Sequence, residues 1–235
     1  MRRVIAALAA GLALTLLPTV ASAAKAPVKR ATRTDWTRTF AVTPEGGFRM
    51  GNPKAKIAIV EYGSLTCPHC RHFAETAMKP LVNKYVRTGK ASYEFRTFVL
   101  NGIDLAATLV ARCNGPSHFF PIAERLYATQ PEWIAKIQNM PKEEQDKLNA
   151  LPESELLFAI AKAGGFLPVA AAHGIPAAKA EACLKSDKQA NGLMKIVQSA
   201  TSLGVKGTPT FFVNGKQVDA NDWATLEPLL KEAGS

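Results

Sequence analysis

The stretch "IAIVEYGSLTCPHCRHF", residues 57–73, changes its periodicity part-way along. Residues 57–62 form a short apolar, β-branched run of the kind that makes a buried strand. Beyond Cys67, the residues Phe73, Ala77, Leu81 and Tyr85 recur every four positions, the spacing of an amphipathic helix. Cys67 and Cys70 therefore fall where a strand hands over to a helix, and Pro68 suits the first helical position, where an N–H would have no partner anyway.

At such a helix start, unpaired amides and the helix dipole favour negative charge, so the Cys67 thiolate is stabilised and reactive. The two-residue gap brings Cys70 round one turn later, near enough to close a disulfide with Cys67 and to be opened again by exchange. His69 is placed to donate a hydrogen bond to the Cys67 sulfur or to share its charge. Two other uses of the pair stay open on these residues. One is half of a zinc site, with His72 as a further candidate, although the remaining cysteines stand singly at 113 and 183. The other is a fixed structural bridge. Glu61, six residues before Cys67, puts a carboxyl group into an apolar strand. Burial would disfavour its charge and suit it to pass a proton to the sulfurs; the alternative is an exposed glutamate at the strand end.

The choice between these uses depends on compartment. Residues 1–23 read as an export signal: Arg2 and Arg3, an apolar run broken by Pro18, then small residues ending near Ala23. Cleavage there would deliver the chain to an oxidising, periplasmic space where disulfides persist. Removal of Arg2 and Arg3 takes the formal charge from +10 to +8. No nucleic-acid signature accompanies that basic balance, so it is assigned to solubility and to attraction towards acidic surfaces. The roughly 210 residues left are enough for a large core without disulfides.

Outside this stretch the chain divides by texture. Residues 24–38 read as a flexible leader. A turn is expected at 51–53, and "ASYEFRT", 91–97, alternates like a second strand. Pro80 predicts a kink in the first helix. Residues 103–185 are rich in Ala, Leu, Lys and Glu with recurrent Pro and Gly, a string of short helices. A further helix follows over 186–203. "TPTFFVNGKQV" then reads as a hairpin turning at Asn214-Gly215, and Asn221 or Asp222 caps a last helix. The reading is an α/β fold: a mixed sheet built from 39–102 and 186–235, with an all-helical domain inserted between.

The glutamate-bearing strand, the Cys-Pro-His-Cys motif and "GTPTFF" at 207–212 together resemble the thioredoxin superfamily, most closely its DsbA-like thiol:disulfide oxidoreductases. The resemblance covers nearly the whole mature chain. It implies a thioredoxin-like sheet with an inserted helical domain and no cofactor. Cys67 would be the exposed nucleophile, Cys70 its buried partner, Pro68 and His69 the dipeptide that tunes them, and Glu61 the proton relay. Thr208 and Pro209 would form a cis-proline loop that docks the substrate strand. It also implies reduced, unfolded secretory proteins as clients and a quinone-linked, DsbB-like membrane reoxidase as partner, with the protein itself a monomer. Thr208 departs from the valine of the best-known oxidases and is familiar from the disulfide isomerases and some oxidases; the implied activity is the introduction of disulfides by exchange at Cys67/Cys70, with an isomerase or reductase of the same fold as the alternative. A metal-binding or holding chaperone using Cys67, His69 and Cys70 is a reading from another class.

Cys113 and Cys183 bracket the helical segment. In an oxidising compartment they are expected to bond to each other, as some DsbA-like proteins resemble in having a second, structural disulfide; two buried free thiols are the alternative. His118, His173, Trp133 and Trp223 are read as core or surface filling.

Overall fold

A computed structural model describes residues 34–234, without the side chains of 153 and 154. The expected export signal and most of the leader lie outside the described residues. Trp36–Arg38 forms a 3-10 turn capped by Asp35, whose side chain accepts from the Thr37 amide. The Trp36 indole packs on Gly89, where an added Cβ would stand 2.6 Å from its nitrogen. The fold thus begins a few residues before the end expected for the leader, because Trp36 has apolar surface to bury.

Six strands form the described sheet: β1 (Phe40–Val42), β2 (Phe48–Gly51), β3 (Ile57–Gly63), β4 (Ala91–Thr97), β5 (Thr210–Val213) and β6 (Lys216–Val218). Their order is β1-β2-β4-β3-β5-β6. Only β3 and β4 pair in parallel, and the other neighbours are antiparallel. β3 and β4 are central and largely buried, as a parallel pair covered on both faces must be. β1 and β2 were not expected from sequence; they are too short to show an alternation. The turn after β2 lies one residue later than read, with the Ala55 amide donating to the Asn52 carbonyl. Asn214 and Gly215 both take positive φ, 50° and 80°, which makes the β5–β6 turn of the type that Asn-Gly favours.

Between β3 and β4 run α1 (Pro68–Thr76), α2 (Met78–Leu81) and a π-helical segment, Val82–Val86. The break falls where Pro80 lacks the N–H that would reach Thr76. The chain recovers with a wider turn in which the Arg87 amide donates to the Val82 carbonyl. After β4 come α3 (Gly102–Arg112), α4 (Pro116–Ala128), α5 (Gln130–Gln138), α6 (Lys142–Asn149), α7 (Glu153–Gly164), α8 (Phe166–Ala172) and α9 (Ala177–Leu184). α10 (Asp187–Ser202), capped by Ser186, leads back to β5, and α11 (Trp223–Gly234) closes the chain. Asp222 accepts from the Thr225 amide at the start of α11.

The inserted helices share the core of the sheet. Phe119 of α4 packs edge-on against Phe48 and tilted against Phe95, and is 1% exposed. Trp133 of α5 packs edge-on against Phe166 of α8. Trp223 sits against Tyr85. Cys113 and Cys183 form a disulfide across 70 residues, joining the end of α3 to α9. By the loop-entropy model, replacing both cysteines with alanine should lower unfolding stability by roughly 4 kcal/mol. Urea denaturation at fixed pH measures it, and an unchanged midpoint would show that the bridge adds nothing.

Candidate active site

β3 ends at Gly63, two residues past Glu61, and residues 64–67 turn the chain into α1. Cys67 is the N-cap of α1 and Pro68 its first residue. The Cys67 sulfur accepts from the Cys70 amide at 3.5 Å, and its thiol donates to the Thr208 carbonyl at 3.2 Å. The Thr208–Pro209 peptide is cis. Cys67 and Cys70 are both free thiols. The resemblance implies an exposed nucleophile, but Cys67 is only 5% exposed, because the Thr208 loop covers it. Cys70 is fully buried.

The two sulfurs are driven in opposite directions. Cys67 is pulled from 9.0 down to about 5: the Cys70 thiol donates to it, and the Thr208 side chain and the amides of Cys70 and His69 add to this against the cost of burial. The Thr208 hydroxyl is buried and has no partner among the described residues while Cys67 is protonated. It becomes a donor to the thiolate once the proton leaves. Cys70 is pushed well above its ordinary value, first by burial, then by hydrogen bonding to Cys67 and by the negative charges of Glu61 and Cys67. His69 acts here through its backbone amide. It is the second residue of α1, so its N–H points off the helix end while its imidazole is exposed.

Glu61 is 2% exposed and accepts a hydrogen bond from the Tyr93 hydroxyl at 2.5 Å. Burial raises its pKa from 4.5 to about 8; the Tyr93 bond lowers it and the Cys67 charge raises it further. Glu61 and Tyr93 line an apolar cavity of about 560 Å³ between α1–α2 and α4, bordered also by Glu75, Lys79 and Glu124.

The backbone of residues 64–67 is held by side chains that the sequence did not mark out. Asp104 of α3 accepts from the Leu65 amide at 2.9 Å and the Leu100 amide at 3.0 Å. Burial lifts its pKa from 3.8 to about 6 despite those bonds. The Tyr127 hydroxyl donates to the Ser64 carbonyl at 3.0 Å. The Gln130 amide group donates to the carbonyls of Leu65 at 2.8 Å and Cys67 at 3.1 Å. In sequence Asp104 looks like an acid in a helix's first turn and Gln130 like a helix-start polar residue; neither pattern signals a contact with the cysteine loop. No group of His, Cys, Asp and Glu fit to hold a metal occurs among the described residues. His72 is exposed on α1, His118 bonds Ser117 beside it and Asn114 just before α4, and His173, the C-cap of α8, bonds the Val169 carbonyl.

Strand order, helical insertion and a two-cysteine helix start define a thioredoxin-like fold of the DsbA type. Residues 43–232 match the thioredoxin family model. A protein of Rickettsia prowazekii (strain Madrid E), provisionally named protein-disulfide oxidoreductase, is 34% identical over 176 residues, 72% of this chain and 55% of the relative. This chain thus spans about half the length of the curated relatives it matches. The crystal structure of protein-disulfide isomerase from Novosphingobium aromaticivorans has 31% identity and a TM-score of 0.73, covering 80% of this chain and 96% of that one. Wolbachia pipientis alpha-DsbA1 shares the fold with a TM-score of 0.64 at 21% identity, over 82% and 92% of the two chains. The chain belongs to the thioredoxin family.

Two expectations follow from this geometry. In the reduced protein the ultraviolet absorbance of the Cys67 thiolate should titrate near pH 5; titration near 9 would remove the activated-nucleophile reading. For Glu61, a folded pKa raised from 4.5 to about 8 means that stability is fully present below pH 4.5 and is lost as pH rises through 8. In the oxidised protein, where Cys67 does not titrate, Glu61→Gln should therefore unfold at higher denaturant than the parent above pH 8 and lose that advantage at pH 4.5. A pH-independent difference would mean that Glu61 is not buried as a neutral acid.

Proposed function

We propose that the protein is an exported, periplasmic thiol:disulfide oxidoreductase that introduces disulfides into reduced, unfolded secretory proteins. The observation that carries this reading is the placement of the two sulfurs on one helical turn: Cys67 caps α1, accepting from the Cys70 amide beside the Thr208 carbonyl, while Cys70 is fully buried. Whatever favours the reduced, ionised form of Cys67 makes the Cys67–Cys70 disulfide a stronger oxidant; DsbA is the standard example of that end of the scale.

In the oxidised enzyme a client thiolate attacks the Cys67 sulfur, and the Cys67–Cys70 bond breaks. Cys70 leaves as a thiolate that burial makes strongly basic, and Glu61, protonated near neutral pH, supplies its proton. A second client thiolate then attacks the client sulfur of the mixed disulfide. Cys67 departs as a stabilised thiolate, the client gains a disulfide, and the pair is left reduced. The two sulfurs carry both electrons, so no cofactor or metal takes part. Thr208 and Pro209, packed on Cys67, would receive the client's extended backbone. A quinone-linked membrane reoxidase would accept the electrons and restore the disulfide, with the enzyme acting as a monomer and nucleic acid playing no part.

An isomerase or reductase of the same fold is the second reading. Thr208 and the name of the Novosphingobium relative support it. The reduction potential of the Cys67/Cys70 couple, measured by glutathione titration, separates the readings. A value of about −120 to −180 mV supports donation or shuffling, with a client oxidation assay deciding between them, and a value of about −270 mV overturns the oxidase reading. In that assay Cys67→Ser should abolish oxidation of a reduced test protein, and retained activity would overturn the assignment of the nucleophile.

A further inference from the structure

Gln130 opens α5, yet it is only 2% exposed. A buried amide group costs free energy unless its polar atoms find partners. The side-chain nitrogen donates to two carbonyls of the cysteine loop, Leu65 at 2.8 Å and Cys67 at 3.1 Å. Both partners can only accept, so the nitrogen of the amide and not its oxygen must face them, and its two hydrogens are both engaged. The Cys67 carbonyl accepts in addition from the Arg71 amide of α1 at 3.1 Å. Two donors fill both of its lone pairs. Gln130 is held in place by the corner between α4 and α5, where the Trp133 indole N–H donates to the Leu126 carbonyl at 2.8 Å.

Asp104 and Tyr127 grip the loop at Leu65 and Ser64, short of the sulfur. Of the three side chains, Gln130 alone grips Cys67 itself. Cys67 is the N-cap of α1, with an extended ψ of 123°. Rotation about ψ is what turns the side chain relative to the carbonyl, so anchoring the carbonyl sets the direction in which Cβ and Sγ leave the chain, towards the Cys70 amide and the Thr208 loop. When Cys67 and Cys70 are joined, a covalent bond holds the sulfur. In the reduced protein only hydrogen bonds do so, and the amides of the helix start favour the thiolate only while it is aimed at them. Loss of the anchor therefore weakens the reduced form more than the oxidised one.

We propose that Gln130 is a positioning residue of the Cys67–Cys70 couple: by anchoring the Cys67 carbonyl it aims the sulfur at the start of α1 and so sets how strongly the couple oxidises. The inference rests on the exchange chemistry proposed for this site. It is tested on the full protein, with Cys113 and Cys183 bonded, by equilibration with glutathione and by the ultraviolet titration of Cys67. Gln130→Met, which keeps the length and loses both donors, should make the couple about tenfold less oxidising, the worth of roughly one hydrogen bond, or about 30 mV for two electrons. Its Cys67 thiolate should form at higher pH than in the parent. The milder Gln130→Asn, whose shorter side chain reaches one carbonyl at most, should show a smaller loss in the same direction. Trp133→Phe, which loosens the same corner without touching either carbonyl, should lower the unfolding midpoint and leave both the glutathione equilibrium and the Cys67 titration unchanged. A parent-like equilibrium in Gln130→Met, or an equal loss in Trp133→Phe, would overturn the positioning role while leaving the exchange chemistry intact. A parent protein that forms no Cys67–Cys70 disulfide with glutathione would overturn both.

Discussion

The backbone joining β3 to α1 is buried, and its carbonyls and amides cannot turn to water. Ser64 and Leu65 are both 0% exposed. A buried peptide group without a partner costs about as much as a lost hydrogen bond, on the order of 1–3 kcal/mol. Here the partners are supplied by the side chains of Asp104, Tyr127 and Gln130, between 39 and 65 positions further along the chain. The helical segment is therefore not an appendage to the sheet. It completes the loop that sets Cys67 at the start of α1, and its Phe119 fills the sheet's face at the same time.

With the loop fixed, the rest of the site is an exercise in placing charge. Cys67 receives donors from a helix end, from Cys70 and from Thr208, so its negative form is favoured. Cys70, three residues on, turns inward to where burial and the charges of Glu61 and Cys67 oppose ionisation. One turn of helix thus holds two chemically identical groups in unlike environments. Glu61 belongs to the inner environment, where a carboxyl group keeps its proton at a pH at which a solvated one would have lost it.

Much of this is written locally. The switch from strand to helix at Cys67, the proline at N1, the Asn214-Gly215 turn and the cap at Asp222 each depend on a few adjacent residues, and all appear in the fold. What eludes a linear reading depends on register and on distance along the chain. Tyr93 meets Glu61 because β3 and β4 pair in parallel with Ile59 opposite Tyr93, which no local pattern specifies. β1 and β2, three and four residues long, are too brief for an alternation to show and owe their place to pairing, β2 with β4 and β1 with β2. His69 was legible as part of the motif; the donor it gives Cys67 in this structure is its backbone amide.

The two edges of the sheet are each only three residues long, β1 on one side and β6 on the other. β6 carries the exposed Lys216 and Gln217. Short, polar or charged edges give another chain's extended backbone little to pair with. For a protein proposed to work among unfolded polypeptides this separates two kinds of encounter. On the proposed function, a client strand would gain little foothold along the sheet's short rim, and its backbone would be left to engage the loop at Thr208, where contact would bring a thiol to the reactive sulfur. The brevity of the edges thereby acts as a filter on where unfolded chains can stay.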